Sequence, residues 1–184
     1  SKNFILKIDA DISSPTVPYY VAADKTIGVS SLETKVASQI KIESLAYFND
    51  QNSSFINKGS LPPKANQPIN FTIYWRIKNY SNDVKDIKVQ AFLEPGVKMI
   101  GEPKANIVSL PVYNERTGEI IWTIDKIAAT KGVIAKPVEA IFQIEVIPNI
   151  IQIGREVPLI GQIAITAFDE FVNFELDDSA NALD

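Results

Sequence analysis

Apolar and polar residues alternate along most of the chain, and Pro, Gly, Asn and Asp interrupt the alternation while no 3.6-residue period is sustained. This pattern predicts strands at residues 4–10, 19–29, 36–48, 69–79, 86–93, 119–125, 138–147, 157–168 and 171–176. Turn signals at Asn82-Asp83, Pro95-Gly96, Thr117-Gly118 and Ile153-Gly154 separate them, at the spacing that two packed antiparallel sheets produce. Prolines fall mostly at the borders: Pro62-Pro63 and Pro68 before a strand, Pro95 and Pro148 after one, Pro137 at the start of one. Only Pro158 lies inside a predicted strand. Having no N–H for a ladder, it marks an edge, a bulge or a later strand start.

Residues two apart on a strand share a face, so Phe71, Ile73, Trp75 and Ile77 line one side while Thr72, Tyr74, Arg76 and Lys78 line the other. Ile120, Trp122 and Ile124 group in the same way. Both tryptophans therefore belong to rows of branched aliphatics. A sugar platform would instead place the indole on the wet face beside Asp, Asn or Gln. Burying one tryptophan removes roughly 150–250 Å² of surface, worth about 4–6 kcal/mol at about 25 cal/mol per Å². A domain's whole net stability is about 5–15 kcal/mol, so the rings are expected to hold the protein together. The rows Ile87, Val89, Ala91, Leu93 and Val138, Ala140, Phe142, Ile144, Val146 extend the same core between sheets about 10 Å apart. Tyr74 and Phe92 are expected on the outer face, exposed, pairing across strands or forming a small sticky patch.

One internal similarity bears on domain limits. The segments YYVAADKTIGV and IAITAFDEFVNF align with Ala22 on Ala167, Asp24 on Asp169, Ile27 on Val172 and Val29 on Phe174, an offset of 145 residues. Each follows an apolar strand, one ending at Ile8 and the other at Val146. The reading is that residues 1–34 are the closing strands of a preceding Ig-like repeat, incomplete here, and that 35–184 form a whole antiparallel sandwich. Chance likeness of two hairpins is the plain alternative.

Composition narrows the chemistry. The 184 residues suffice to bury a sizeable core, and the net charge of −4 is mild. The 18 cationic residues include only three arginines, Arg76, Arg116 and Arg155, which are scattered, so the basic face that nucleic acid requires is missing. Without histidine or cysteine there are no imidazole bases, thiolate nucleophiles, disulfides or usual zinc ligands. No apolar run approaches the roughly 20 residues of a membrane-spanning helix, and no charged-then-apolar leader is present. The start at Ser1, without Met, suggests a processed or excised piece.

The run FTIYWRIKNYSNDVKDIKVQAFLEPGV, then VYNERTGEIIWTI, then FQIEVIP, with Ala167-Phe168-Asp169 beyond, resembles the Ig-like conserved-repeat domain found in tandem in large bacterial and archaeal surface proteins. The likeness covers residues 62–176. It rests on Phe71-Thr72-Ile73, on Asn79 with Asn82-Asp83, on the turn at 93–97, on 113–122 with Trp122, and on 142–148. Glu94 departs from it, standing where a proline is usual. The resemblance implies an extracellular, cell-surface structural or spacer role and no reaction. Its partners would be neighbouring repeats or other surface subunits. A protein or glycan ligand held by loops 49–57 or 101–114, and a fibre subunit assembled by strand exchange, are the alternatives.

Sharper chemistries have weaker support. Asp24, Asp169-Glu170 and Asp177-Asp178 lie near strand ends where calcium could bridge repeats, but no Asp-x-Asp-x-Asp-Gly loop accompanies them. A Lys-Asn isopeptide bond would need a buried lysine, and Lys41, Lys78 and Lys88 fall on polar faces. The Asn-x-Ser/Thr triplets at Asn52, Asn70 and Asn79 are explained by turn composition, and Asn79, Asn82 and Asp83 are expected as turn chemistry. No catalytic residue, cofactor or metal site is assigned.

Overall fold

A computed structural model describes residues 2–13, 26–152 and 154–184. It is all-β. The strands are β1 (Ile5–Ser13), β2 (Thr26–Lys35), β3 (Ile40–Tyr47), β4 (Ile69–Asn79), β5 (Val84–Phe92), β6 (Val97–Ala105), β7 (Val112–Asn114), β8 (Glu119–Ile127), β9 (Val138–Val146), β10 (Ile163–Asp169) and β11 (Phe174–Ala180). One sheet runs β3-β4-β9-β6 and the other β11-β10-β5-β8-β7, with every neighbouring pair antiparallel. In chain order the first sheet takes the first, second, fifth and fourth strands of an immunoglobulin sandwich. The second takes the seventh, sixth and third, and the short hairpin β7–β8 is added beside β5.

The alternation read from the sequence is what the two sheets enclose. Ile73, Trp75 and Ile77 of β4 face Val89, Trp122 and Ile124 of the other sheet's strands within one buried core, together with the inward row of β9. Trp75 meets Phe142 edge to face, with centroids 5.1 Å apart. The Trp122 indole N–H donates to the Ser109 carbonyl at 3.1 Å, whereas Trp75 Nε1 has no acceptor. Neither ring reaches solvent.

Several expectations are corrected. The predicted strand at 157–168 begins only at Ile163. Pro158 delays it, while Ile160 forms isolated bridges with Leu93 and Leu183. Strands β6 and β7 have no counterpart among the predicted ones. Tyr74, expected to be exposed, is 3% exposed because residues 48–58 fold over the outer face of β4 and β9. Phe92 is exposed as expected. The residues at 19–25 in the repeat alignment, Asp24 among them, lie outside the described residues, as does Ile153 of the Ile153-Gly154 turn.

The sandwich borders are guarded. Outer strand β6 is broken by a register shift between Ile100 and Lys104, where Gly101 takes a φ of +66° and Pro103 removes a donor. Strand β7 is three residues long. On the other side β3 and β11 are clipped together, the Asp178 carboxylate accepting the Ile42 N–H at 3.0 Å.

Strands β1 and β2 stand apart as a two-stranded antiparallel ribbon. Its register puts Leu6, Ile8, Ala10 and Ile12 on one face with Leu32 and Thr34, and Lys7, Asp9, Asp11, Glu33 and Lys35 on the other, where Ile5 and Val29 are the apolar members. The apolar face is uncovered: Leu6, Ile8, Ile12 and Leu32 are 52–65% exposed.

Candidate interaction surfaces

At the pole where the ribbon enters the sandwich, a buried polar cluster ties four segments together. Asp169 sits at the end of β10. One carboxylate oxygen accepts the Ser38 N–H at 2.7 Å and the Asn82 amide at 2.8 Å; the other accepts the N–H groups of Phe171 and Val172 at 2.9 and 3.3 Å. Burial pushes this carboxyl up, but those four donors outweigh it and hold it below the ordinary aspartate value. Asn79 donates to the carbonyls of Asn82, Ile127 and Ala128 and accepts from the Ser38 hydroxyl. Asn82 donates to the Val36 carbonyl and accepts the Asn3 N–H. The ribbon is thereby fastened at its base, with Val36 N–H donating to the Phe4 carbonyl, Lys2 pairing with Asp83 at 3.2 Å and Lys35 donating to the Phe171 carbonyl. Sequence spacing identifies Asn79 and Asn82 as turn residues. It does not reveal that they lock the β4–β5 turn to the β8–β9 loop and the β2–β3 linker.

Around this pole, several of the residues named for calcium and for a cross-link have other partners. Both oxygens of Asp169 face N–H donors, the surroundings of a held anion and not of a calcium ligand. Glu170 pairs with Lys126 at 2.6 Å, and Asp178 belongs to the β3–β11 clip. No group of three or more candidate metal ligands occurs among the described residues. Lys41 and Lys88 are exposed and Lys78 pairs with Glu43 at the surface, so none of the three reaches the buried asparagines.

On the outer face of the four-stranded sheet, Tyr74 donates from its hydroxyl to Asp50 at 2.6 Å and packs edge-on against Tyr47 at 5.6 Å. Burial, then the hydrogen bond to Asp50 and its charge, push the Tyr74 hydroxyl up to about 12. Arg76 lies over the Tyr74 ring at 5.1 Å and binds Glu139 at 2.6 Å. Asn57 donates to the Tyr47 and Phe48 carbonyls and to the Thr72 hydroxyl, while Gln143 donates to Asn57. Tyr47, Asn49, Gln51 and Asn52 border the shallow polar cleft that results, about 280 Å³.

The opposite pole holds an apolar cleft of about 350 Å³, floored by Ile69, Phe71 and Val146 and walled by Leu61, Pro63 and Val157, with Arg155 and Asp184 at its rim. It opens where β3 ends, β4 begins and β9 ends. Ile150 and Ile151, in a single 3-10 turn, stand exposed nearby. No sequence signal marks this cleft, because its walls come from two connections and the segment after β11 and not from one periodic strand.

The chain matches no protein-family model and no curated protein. Among solved structures it is similar to BcpA, the major pilin subunit of Bacillus cereus, in its D312A form, at 10% identity and a TM-score of 0.48, over 97% of this chain and 54% of that one. It is also similar to the full-length major pilin SpaD from Corynebacterium diphtheriae, at 14% identity and 0.44, over 94% of this chain and 41% of that one. A putative membrane anchored protein from Corynebacterium diphtheriae is similar at 11% and 0.42, over 100% and 46%. The chain thus spans about half the length of these structures or less. At such identities and TM-scores no residue or activity carries over from them. No helix of the described residues is long and apolar enough to cross a membrane.

Proposed function

We propose that the chain is a non-enzymatic structural unit of a cell-surface stalk or surface assembly, comprising an Ig-like sandwich at 35–184 and, at 1–34, the closing strands of a preceding unit of the same kind. The observation that carries this is the amphipathic ribbon β1–β2, whose apolar face is uncovered although its base is bonded into the sandwich. A two-stranded ribbon is marginal alone, so that face calls for a facing sheet. Supporting it, the polar clusters are satisfied within the fold, and the sequence resembles tandem surface repeats.

Splicing residues 35–147 onto 3–184 would supply a facing sheet in one chain. Amide exchange along β1 and β2 is then expected to slow by at least about a hundredfold, and unchanged exchange would remove the domain division. Antibody to the sandwich should label intact, unpermeabilised cells; label appearing only after lysis would overturn the surface role.

A second reading, adhesion through the loop at 49–57, draws on exposed Tyr47 beside Asn49, Gln51 and Asn52. It predicts glycan or protein binding that Tyr47→Ala abolishes; binding unaffected by that change would remove it.

A further inference from the structure

The tryptophans lack the setting of a sugar platform, an aromatic ring on a wet face beside Asn and Gln, but Tyr47 has it. This tyrosine ends β3 opposite Thr72 and one diagonal step from Tyr74, against whose ring it stands edge-on. Beyond it the alternation runs on into the connection. Tyr47, Asn49 and Gln51 are exposed, Phe48 and Asp50 between them are half-buried, and Asn52 is exposed after them. The inward side chains fix the loop. Phe48 packs edge-on against Phe71 at 6.1 Å, and one Asp50 oxygen accepts the Asn52 N–H at 2.9 Å while the other holds the Tyr74 hydroxyl. At the far end Asn57 is spent on the Tyr47 and Phe48 carbonyls and on Thr72. By contrast, among the described residues the carboxamides of Asn49, Gln51 and Asn52 make no hydrogen bond within the chain. Unspent amides thus stand on a loop that is held at both ends.

We propose that the cleft bordered by Tyr47, Asn49, Gln51 and Asn52 binds a neutral saccharide, one sugar ring lying on the tyrosine ring with its hydroxyls bonded to the neighbouring amides. This deepens the adhesion reading above and rests on it. The ligand class follows from what the cleft offers. A carboxamide both donates and accepts, as a hydroxyl does, so these amides match a ring edge crowded with hydroxyls. Tyr47, 40% exposed, presents an apolar ring face to the C–H face of a sugar. The charges at hand are Asp50, Arg76 and Glu139, and Arg76 is already paired with Glu139, so the balance is negative and an acidic sugar is disfavoured. No aliphatic side chain lines the cleft, which removes the apolar pocket that would anchor a peptide. A volume of about 280 Å³ is close to the lower bound of small-molecule sites, room for a short glycan. Because the loop is clamped before any ligand arrives, little ordering entropy opposes a weak polar one.

Fluorescently labelled chain on an array of neutral and acidic glycans tests this, followed by an NMR titration of isotope-labelled chain with the glycan bound and by circular dichroism of each variant. Neutral glycans are expected to bind and to shift the side-chain amide signals of Asn49, Gln51 and Asn52. Tyr47→Ala should weaken binding at least about tenfold and Tyr47→Phe less than about threefold, since the ring face and not the hydroxyl makes the contact. Asn49→Ala and Asn52→Ala, each removing a hydrogen-bonding group, should weaken it about threefold to tenfold. Phe92→Ala, which removes an exposed ring on the other sheet, should leave it unchanged. Binding indifferent to Tyr47→Ala, or amide signals that stay still, would overturn the site; if Tyr47→Ala does not fold, those signals and Asn52→Ala decide it. Binding confined to acidic glycans and lost with Tyr47→Ala would overturn the neutral class while keeping adhesion at this loop. An array without binding overturns the inference and leaves the adhesion reading to stand on a protein ligand alone.

Discussion

The hairpins β1–β2 and β10–β11 share a design. Each alternates an apolar row with an acidic or mixed one, and each passes close to the same pole. In β10–β11 the row Ile163, Ile165, Ala167 and Leu176 is 0–9% exposed, because it lies against the core that the four-stranded sheet completes. In β1–β2 the matching kind of row is 52–65% exposed. Alternation states which face of a strand pair requires cover. It is silent on what provides the cover, and that is why one hairpin is structure here and the other is a surface.

Point changes sharpen the contrast most. Ile165→Ala is expected to cost about 2–5 kcal/mol in urea unfolding, the cost of a cavity in a packed core, while Ile8→Ala stays within about 0.5 kcal/mol. Equal costs would mean the ribbon is covered after all. Amide exchange should separate the hairpins by at least about a hundredfold, β10 and β11 being slower. Asp169→Ala leaves the Ser38, Phe171 and Val172 N–H groups and the Asn82 amide without their acceptor, at a cost of about 2–3 kcal/mol.

That last cost depends on pH in a defined direction. The folded carboxyl lies below its unfolded value, so its contribution is complete above about pH 4 and is lost as pH falls through the folded value. The difference between wild type and Asp169→Ala should therefore shrink in acid; a constant difference would show that the anion is not what matters. The smallest effect belongs to the ribbon, where Ile8→Lys with Leu32→Lys should reduce binding of a hydrophobic dye while moving Tm by no more than about 2 °C.

The sandwich was legible wherever one face of a strand is dry. Strands β4, β5, β8 and β9 follow their alternation almost residue for residue, and both tryptophans lie where a period of two puts them. The sequence VKMIGEPKA failed to announce β6 because Gly101 and Pro103 break its alternation, although most of it is joined to β9 around a bulge. Tyr74 departs from its pattern for a different reason. It does lie on the outer face of its strand, but residues 48–58 lie over that face, and no local pattern shows where a long connection will settle. The apolar cleft is hidden likewise, since Leu61 and Val157 meet over the end of β9 at Val146 only when two separate connections converge.

The bulged, proline-bearing border of β6 has a consequence for crowding. Where many such units stand side by side at high local density, a straight bare strand would template its neighbour, and adjacent molecules would fuse laterally into insoluble cross-β material. A border that refuses a new strand keeps crowded neighbours separate, so that each molecule holds its own sheets even at high local density.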